Sequence, residues 1–423
     1  MGSTGRNQLE RRLHMGEVDD SELRNILVNF FPSGQYQSDR SVELTNGRAR
    51  MRITYDKKTG AISNLTPLSG LTNQLLDQIE LEVKEKLLVA PVRKVAKAIL
   101  YSHVPVDGYW RFKDQIVLRP VPPGSPQPPF LLADHPLICE ISYLGAPDPW
   151  VNGFRSARAI RQYTLILSLL IPGLKIPNAS AKGWVLVPTW STHDPAAPID
   201  DLHSEYAQFG YHCTGALDGP ADSLSSRGDL PEIQLKPPGL GISIGDSLTL
   251  RPDISEHLQA FSNLDSEDRR RILRASYWMH LARQVFSSSN SASFQFFIQA
   301  IEAMTITSDS APDCEECRRP IADGPTKLFN SFIGQYAPPT GSPEDKRARR
   351  LLYDTRSDLT HGSSLLEMDE ETGFIAPTPN QIAESGLHRT AADVCRAALL
   401  GWLRSHTEPP HSRTPSDQSE PHS

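Results

Sequence analysis

The residues best suited to do chemistry lie in one stretch, Lys346-Arg347-Ala348-Arg349-Arg350-Leu351-Leu352-Tyr353-Asp354-Thr355-Arg356-Ser357-Asp358-Leu359-Thr360-His361-Gly362. It sets a guanidinium five residues ahead of an imidazole. An imidazole, with an ordinary pKa of about 6.5, gives or takes a proton at neutral pH. A guanidinium is always charged and holds a phosphate through two parallel hydrogen bonds. Read as a helix, the segment places Ala348, Leu351, Leu352, Thr355 and Leu359 on one face and Arg349, Tyr353, Arg356 and Thr360 on another. Arg356 and His361 then stand roughly 140° apart around the axis. Either the backbone leaves the helix near His361, where Gly362 is a natural breaker, or two copies of the segment meet across a dimer. A purely structural role is the alternative: Arg356 pairs with Asp358 or Glu302, His361 caps the last turn, and the basic run is a solvated face.

These residues must be positioned by a helical region. From Ile254 onward helical periodicity dominates. Asp265 or Ser266 caps a helix running to Val285, with Glu267 and Asp268 favourable in its first turn. Asn290 or Ser291 caps a second, carrying Phe294, Phe297, Ile298, Ile301 and Met304 on one face. Ser342-Pro343 opens a third and Thr378-Pro379 a last one ending near Arg404. Before Pro252 the pattern is strand-like. Residues 49–55 alternate, turn through Asp56-Lys57-Lys58-Thr59-Gly60, and read as a hairpin with Ala61-Ile62. Further strands are expected at 115–118, 137–143, 163–170, 184–188 and 240–244, and one helix within 72–88. The expected architecture is an α+β multidomain chain. It has a disordered start (1–20), a β-rich domain (21–252), a C-terminal all-α bundle (253–405) and a disordered tail (406–423).

Arg356-Ser357-Asp358-Leu359-Thr360-His361-Gly362, preceded by Leu352-Tyr353, resembles the R-x4-6-H signature of HEPN domains, in particular the Apea-like branch with its LY..RS...HG string. The resemblance extends over the helical region and includes Ala300-Ile301-Glu302-Ala303, similar to that branch's "aiEa" segment. It implies a homodimer that cleaves RNA without a metal, two such segments facing each other across a cleft. It further implies that His361 is general acid/base and Arg356 stabilises the scissile phosphate, with Ser357, Asp358, Tyr353 and Glu302 in support. Lys346, Arg347, Arg349 and Arg350 would guide the RNA backbone. RNA supplies its own nucleophile, the 2′-hydroxyl, so no cofactor is expected. The implied biological role is a toxin or phage-defence effector, with the β-rich domain sensing a trigger ligand or protein. A non-catalytic dimerisation or binding module of the same fold is the competing expectation.

Composition bounds these readings. The chain has 423 residues, 43 Lys+Arg against 50 Asp+Glu, and a net charge of −7, which excludes a wholly basic nucleic-acid coat but not a local basic site. Its 35 prolines disfavour an all-helical chain. Five cysteines are too few and scattered for a secreted disulfide scaffold. No signal peptide is visible, Arg6 breaks the myristoylation pattern, and the most apolar stretch stops at Pro172, so a cytoplasmic protein without membrane attachment is expected. Cys314-Glu315-Glu316-Cys317 has zinc-ligand spacing but lacks a second pair; His212-Cys213 or a symmetry mate would have to complete it, and a reduced thiol pair is the alternative. His193, Asp194, Asp200, Asp201 and His203 read as a polar loop rather than a metal site. Gly239-Leu240-Gly241 with Gly245 completes no nucleotide-binding motif.

Overall fold

The computed structural model describes residues 8–57, 60–125, 134–176, 221–237, 246–305, 324–370 and 377–407. Its first unit is an antiparallel meander, β1 (Ser33–Ser38), β2 (Ser41–Thr45), β3 (Arg50–Tyr55) and β4 (Ile62–Ser69), in that order across the sheet. Three helices accompany it, α1 (Gln8–Arg12), α2 (Asp20–Phe30) and α3 (Asn73–Lys86). Alternation sends Met51, Ile53 and Leu65 inward, against Ile79 and Val83 of α3 and Leu23 and Leu27 of α2. The expected hairpin is there: β3 and β4 pair with Ile53 opposite Leu65. The expected helix is α3, whose N-cap Thr72 accepts from the Leu75 amide.

Two expectations for this region are corrected. Residues 8–20 are not a disordered start, because α1 forms and Leu9, Leu13, Met15 and Val18 are buried in the first core. The β-rich domain expected from residue 21 does not begin with strands either. Asp19 caps α2 by accepting from the Ser21 and Glu22 amides, and the amphipathic helix runs through Phe30.

The second sheet comprises β5 (Val92–Ser102), β6 (Trp110–Phe112), β7 (Ile116–Pro120) and β8 (His135–Gly145), antiparallel in the order β5-β8-β7-β6. The strands expected at 115–118 and 137–143 are β7 and β8. Residues 163–170 are not a strand; they finish the long helix α4 (Pro149–Leu170), capped by Asp148 with Pro149 in its first turn. The reason for the difference is burial on every side. Residues 164–170 are all buried, so no polar face marks the 3.6-residue period. The strands expected at 184–188 and 240–244 lie outside the described residues.

The helical region follows as α5 (Ile254–Asn263), α6 (Ser266–Val285), α7 (Asn290–Glu302), α8 (Pro325–Tyr336), α9 (Pro343–Thr360), the short α10 (Glu367–Glu370) and α11 (Pro379–Arg404). Asp265, Ser342 and Thr378 cap as expected, and α7 starts one residue early on Ser289. The core does not divide at Pro252. Cys139 and Ile141 of β8 belong to one continuous apolar cluster with Ile166 and Leu170 of α4, Met279 of α6, Phe294 of α7 and Leu399 of α11. The break between cores falls near residue 90 instead. The chain is therefore mixed α+β, with its second sheet built into the helical half. His406, expected in the tail, packs its ring 4.2 Å from that of Trp402. No helix among the described residues is long and apolar enough to cross a membrane.

Candidate functional site

Helix α9 carries both residues of the motif, and its start is fixed locally. Ser342 Oγ accepts the Asp345 amide at 3.0 Å, and Asp345 accepts from the Thr340 amide at 2.8 Å. Arg349 donates from Nε to Asp345 at 2.8 Å and from its other end to the Ala337 carbonyl. The Arg349 guanidinium holds the Asp345 carboxyl below its ordinary range. Arg349 is thus a brace between α9 and the end of α8, with a side chain only 14% exposed. The expectation that it guides RNA is corrected on that ground; Lys346, Arg347 and Arg350 are exposed.

The inward face of α9 is also rotated from the expected one. Leu352 and Leu359 are buried, but Leu351 is 42% exposed, and the face is completed by Arg349, Tyr353 and Arg356. Each of these has a reason to turn inward. Arg356 Nη2 donates to Glu302 Oε2, the last residue of α7, at 3.1 Å. Its guanidinium also lies 5.6 Å from the centre of the Tyr353 ring, which in turn packs 5.4 Å from Phe329 of α8. Arg356 keeps 26% of its side chain accessible.

His361 is the C-cap of α9, with φ −78° and ψ −4°, so the helix stays regular up to it. The reversal comes at Gly362, φ +67°. The Gly362 amide donates to the Leu359 carbonyl at 3.2 Å and the Ser363 amide to Asp358 at 3.2 Å, the two bonds of a Schellman motif. His361 is exposed on this turn. Because the helix does not break before it, the imidazole and the Arg356 guanidinium do not converge within one chain. Asp358 is exposed and Ser357 half-buried, its carbonyl accepting the His361 amide at 3.1 Å.

Sequence reasoning missed the anchor on the far side of the turn. The buried Leu366 donates its amide to Ser291 Oγ at 2.9 Å. Asp369 accepts from Ser289 Oγ at 2.7 Å and from the Asn290 and Ser291 amides at 2.7 and 2.8 Å. Burial alone would raise the Asp369 carboxyl, yet these hydrogen bonds at the positive end of α7 keep it below its ordinary range. Helix α7 therefore grips α9 and its continuation twice, through Glu302 at one end and Ser289 to Ser291 at the other. The only sequence signal for this was the serine run ahead of α7.

We compared the chain with protein-family models, curated proteins and solved structures. None of them matches. The arrangement therefore speaks through its own chemistry: a partly exposed guanidinium with a carboxylate and an aromatic ring beside it, and an exposed imidazole on a hydrogen-bonded turn. No group of three or more metal-ligating side chains occurs among the described residues. Cys314 and Cys317, His212 and Cys213, the His193 to His203 set and Gly239 to Gly245 lie outside them.

Proposed function

We propose that this chain is a metal-independent endoribonuclease of HEPN type, Apea-like, acting as a homodimer in the cytoplasm. The observation that supports it most is the pairing of an accessible His361 on a turn fixed at both ends with an Arg356 oriented by Glu302 and Tyr353. Since one chain aims them roughly 140° apart, the reading requires the second copy to bring His361 and Arg356 to the same phosphodiester. His361 accepts the proton of the 2′-hydroxyl as that oxygen attacks the neighbouring phosphorus. The bond to the 5′-oxygen breaks, and an imidazolium returns a proton to it. Arg356 holds the charge that builds on the non-bridging oxygens. Lys346, Arg347 and Arg350 steer the RNA; a trigger acting at the β-rich half and a role as toxin or phage-defence effector complete the proposal.

The test is incubation of the purified chain with RNA in EDTA. Cleavage is expected, with Arg356→Ala and His361→Ala each lowering it by about 100-fold or more at unchanged circular dichroism. Full activity in either variant excludes this site.

The Arg356–Glu302 ion pair favours a second reading, in which the segment is a brace in a non-catalytic dimerisation or binding module. That reading expects no cleavage at any protein concentration, and loss of stability in Arg356→Ala but not in His361→Ala. The exposure of His361 speaks for the first reading.

A further inference from the structure

Outside α9, a concentration of positive charge among the described residues lies on α4 and α6. Helix α4 carries arginine at 155, 158 and 161, and α6 at 269, 270, 271 and 274. The two helices touch: the Arg161 guanidinium lies 5.5 Å from the Tyr277 ring, and Arg283 donates to the Ser168 carbonyl at 2.7 Å. Three of these arginines are neutralised, Arg155 by Glu22, Arg158 by Asp19 and Arg271 by Glu267 and Asp268. Arg161, Arg270 and Arg274 are exposed and pair with no carboxylate among the described residues.

A solvated helix face normally intersperses both signs; here three unpaired cations share one surface of a chain whose net charge is −7. Arg270, Arg274 and Tyr277 fall at i, i+4 and i+7, a stripe about 10 Å long on α6. Tyr277 is 37% exposed, and the Arg161 guanidinium lies 5.5 Å from its ring centre. Arg158, paired with Asp19, and Arg269, which donates to the Ser262 and Leu264 carbonyls, line a cleft of about 660 Å³ together with Glu22 and Asp114, and add no free charge to the stripe. Cations spaced for successive phosphates, with a ring on which a base can stack, are the parts of a single-strand binding surface. A lipid surface would call for apolar residues to insert, and an acidic peptide makes no use of the ring.

We infer that the surface formed by Arg161, Arg270, Arg274 and Tyr277 binds single-stranded nucleic acid. This holds whether or not α9 cuts RNA. The probe is a labelled oligo(dT) of about 12 nucleotides, which lacks the 2′-hydroxyl and so cannot be cleaved by the chemistry proposed above. Fluorescence anisotropy on the full chain should show binding that weakens with salt, with a log–log slope of about −2 for three phosphate contacts. Arg161→Glu with Arg274→Glu should reduce affinity about tenfold or more and flatten that slope, and Tyr277→Ala should cost about tenfold. Arg161, Arg270, Arg274 and Tyr277 are exposed, so these variants should fold, which melting curves check; Arg270→Gln with Arg274→Gln is the milder pair. The inference is overturned if the wild type fails to bind at low salt or if the reversal pair binds unchanged. It is equally overturned if only reversal of Lys346, Arg347 and Arg350 abolishes binding, or if phosphatidylserine vesicles bind while the oligonucleotide does not.

Discussion

At the scale of single residues, the candidate site rests on how α9 ends. Gly362 sits at φ +67° with nothing within 4 Å of where a side chain would begin, so its role is conformational rather than steric. Replacement by Ala forces an L-residue into the left-handed region. Gly362→Ala should therefore lower unfolding free energy by about 1 kcal/mol in urea titrations, and it should reduce any RNA cleavage further, because it re-aims His361. An unchanged denaturation midpoint would show that the turn finds another closure. Arg356 was legible as a residue with something to hold, and Glu302 was among its candidate partners. Spacing put His361 roughly 140° from Arg356 only if the helix ran unbroken, and the structure shows it regular up to its cap.

At the scale of elements, the decisive piece is α4, which joins the second sheet to the bundle. Its last carbonyls have no helical partners, and two arginines supply them. Arg283 of α6 donates to Ser168, while Arg396 of α11 donates to Leu169 at 3.1 Å and Leu170 at 2.8 Å. Burial, reinforced by the nearby Arg283 charge, pushes Arg396 down to about 9, a cost that the negative end of the helix dipole offsets. Arg396→Ala should lose about 2 kcal/mol in chemical denaturation, since it orphans two carbonyls. A second contact is steric: a Cβ on Gly401 of α11 would come within 2.1 Å of the Tyr336 carbonyl at the end of α8. Gly401→Ala should push these helices apart and cost about 1–3 kcal/mol by the same measurement. Stability equal to wild type in either variant contradicts this account of the packing. The sequence concealed α4 because its last turns are apolar all round, yet Asp148-Pro149 was a start signal of the same kind as Ser342-Pro343.

At the scale of the whole molecule, the two cores are joined by charge as well as by packing. Arg155 and Arg158 of α4 meet Glu22 and Asp19 at the start of α2, at 2.8 and 2.7 Å. The fold also buries imidazoles. Burial lowers the pKa of His257, His280 and His388, with Arg283 helping to bring His280 to about 4. The unfolded chain protonates these groups from about pH 6.5 downward, whereas folded His280 resists until near 4. Between those values the unfolded state binds more protons, so stability falls with falling pH; above about 6.5 these groups contribute no slope. Asp253, held far below its usual range by Arg251, extends the loss to lower pH. Urea titrations at pH 8, 7, 6, 5 and 4.5 should give a plateau and then a decline, and His280→Gln should shallow it. A stability that rises on acidification would contradict this.

The sequence by itself determined where most helices of the C-terminal half begin, because a cap is a local bargain between a side chain and the next turn's amides. It likewise determined the β3–β4 hairpin, whose alternation and turn are local. It could not determine which face of α9 turns inward, since Arg349 and Arg356 go inside where the Ala337 carbonyl and Glu302 receive them. Nor could it locate the boundary between cores, which depends on β8 and α6 packing on the same helix. Those outcomes depend on contacts between residues distant in the chain, and only the tertiary structure settles them.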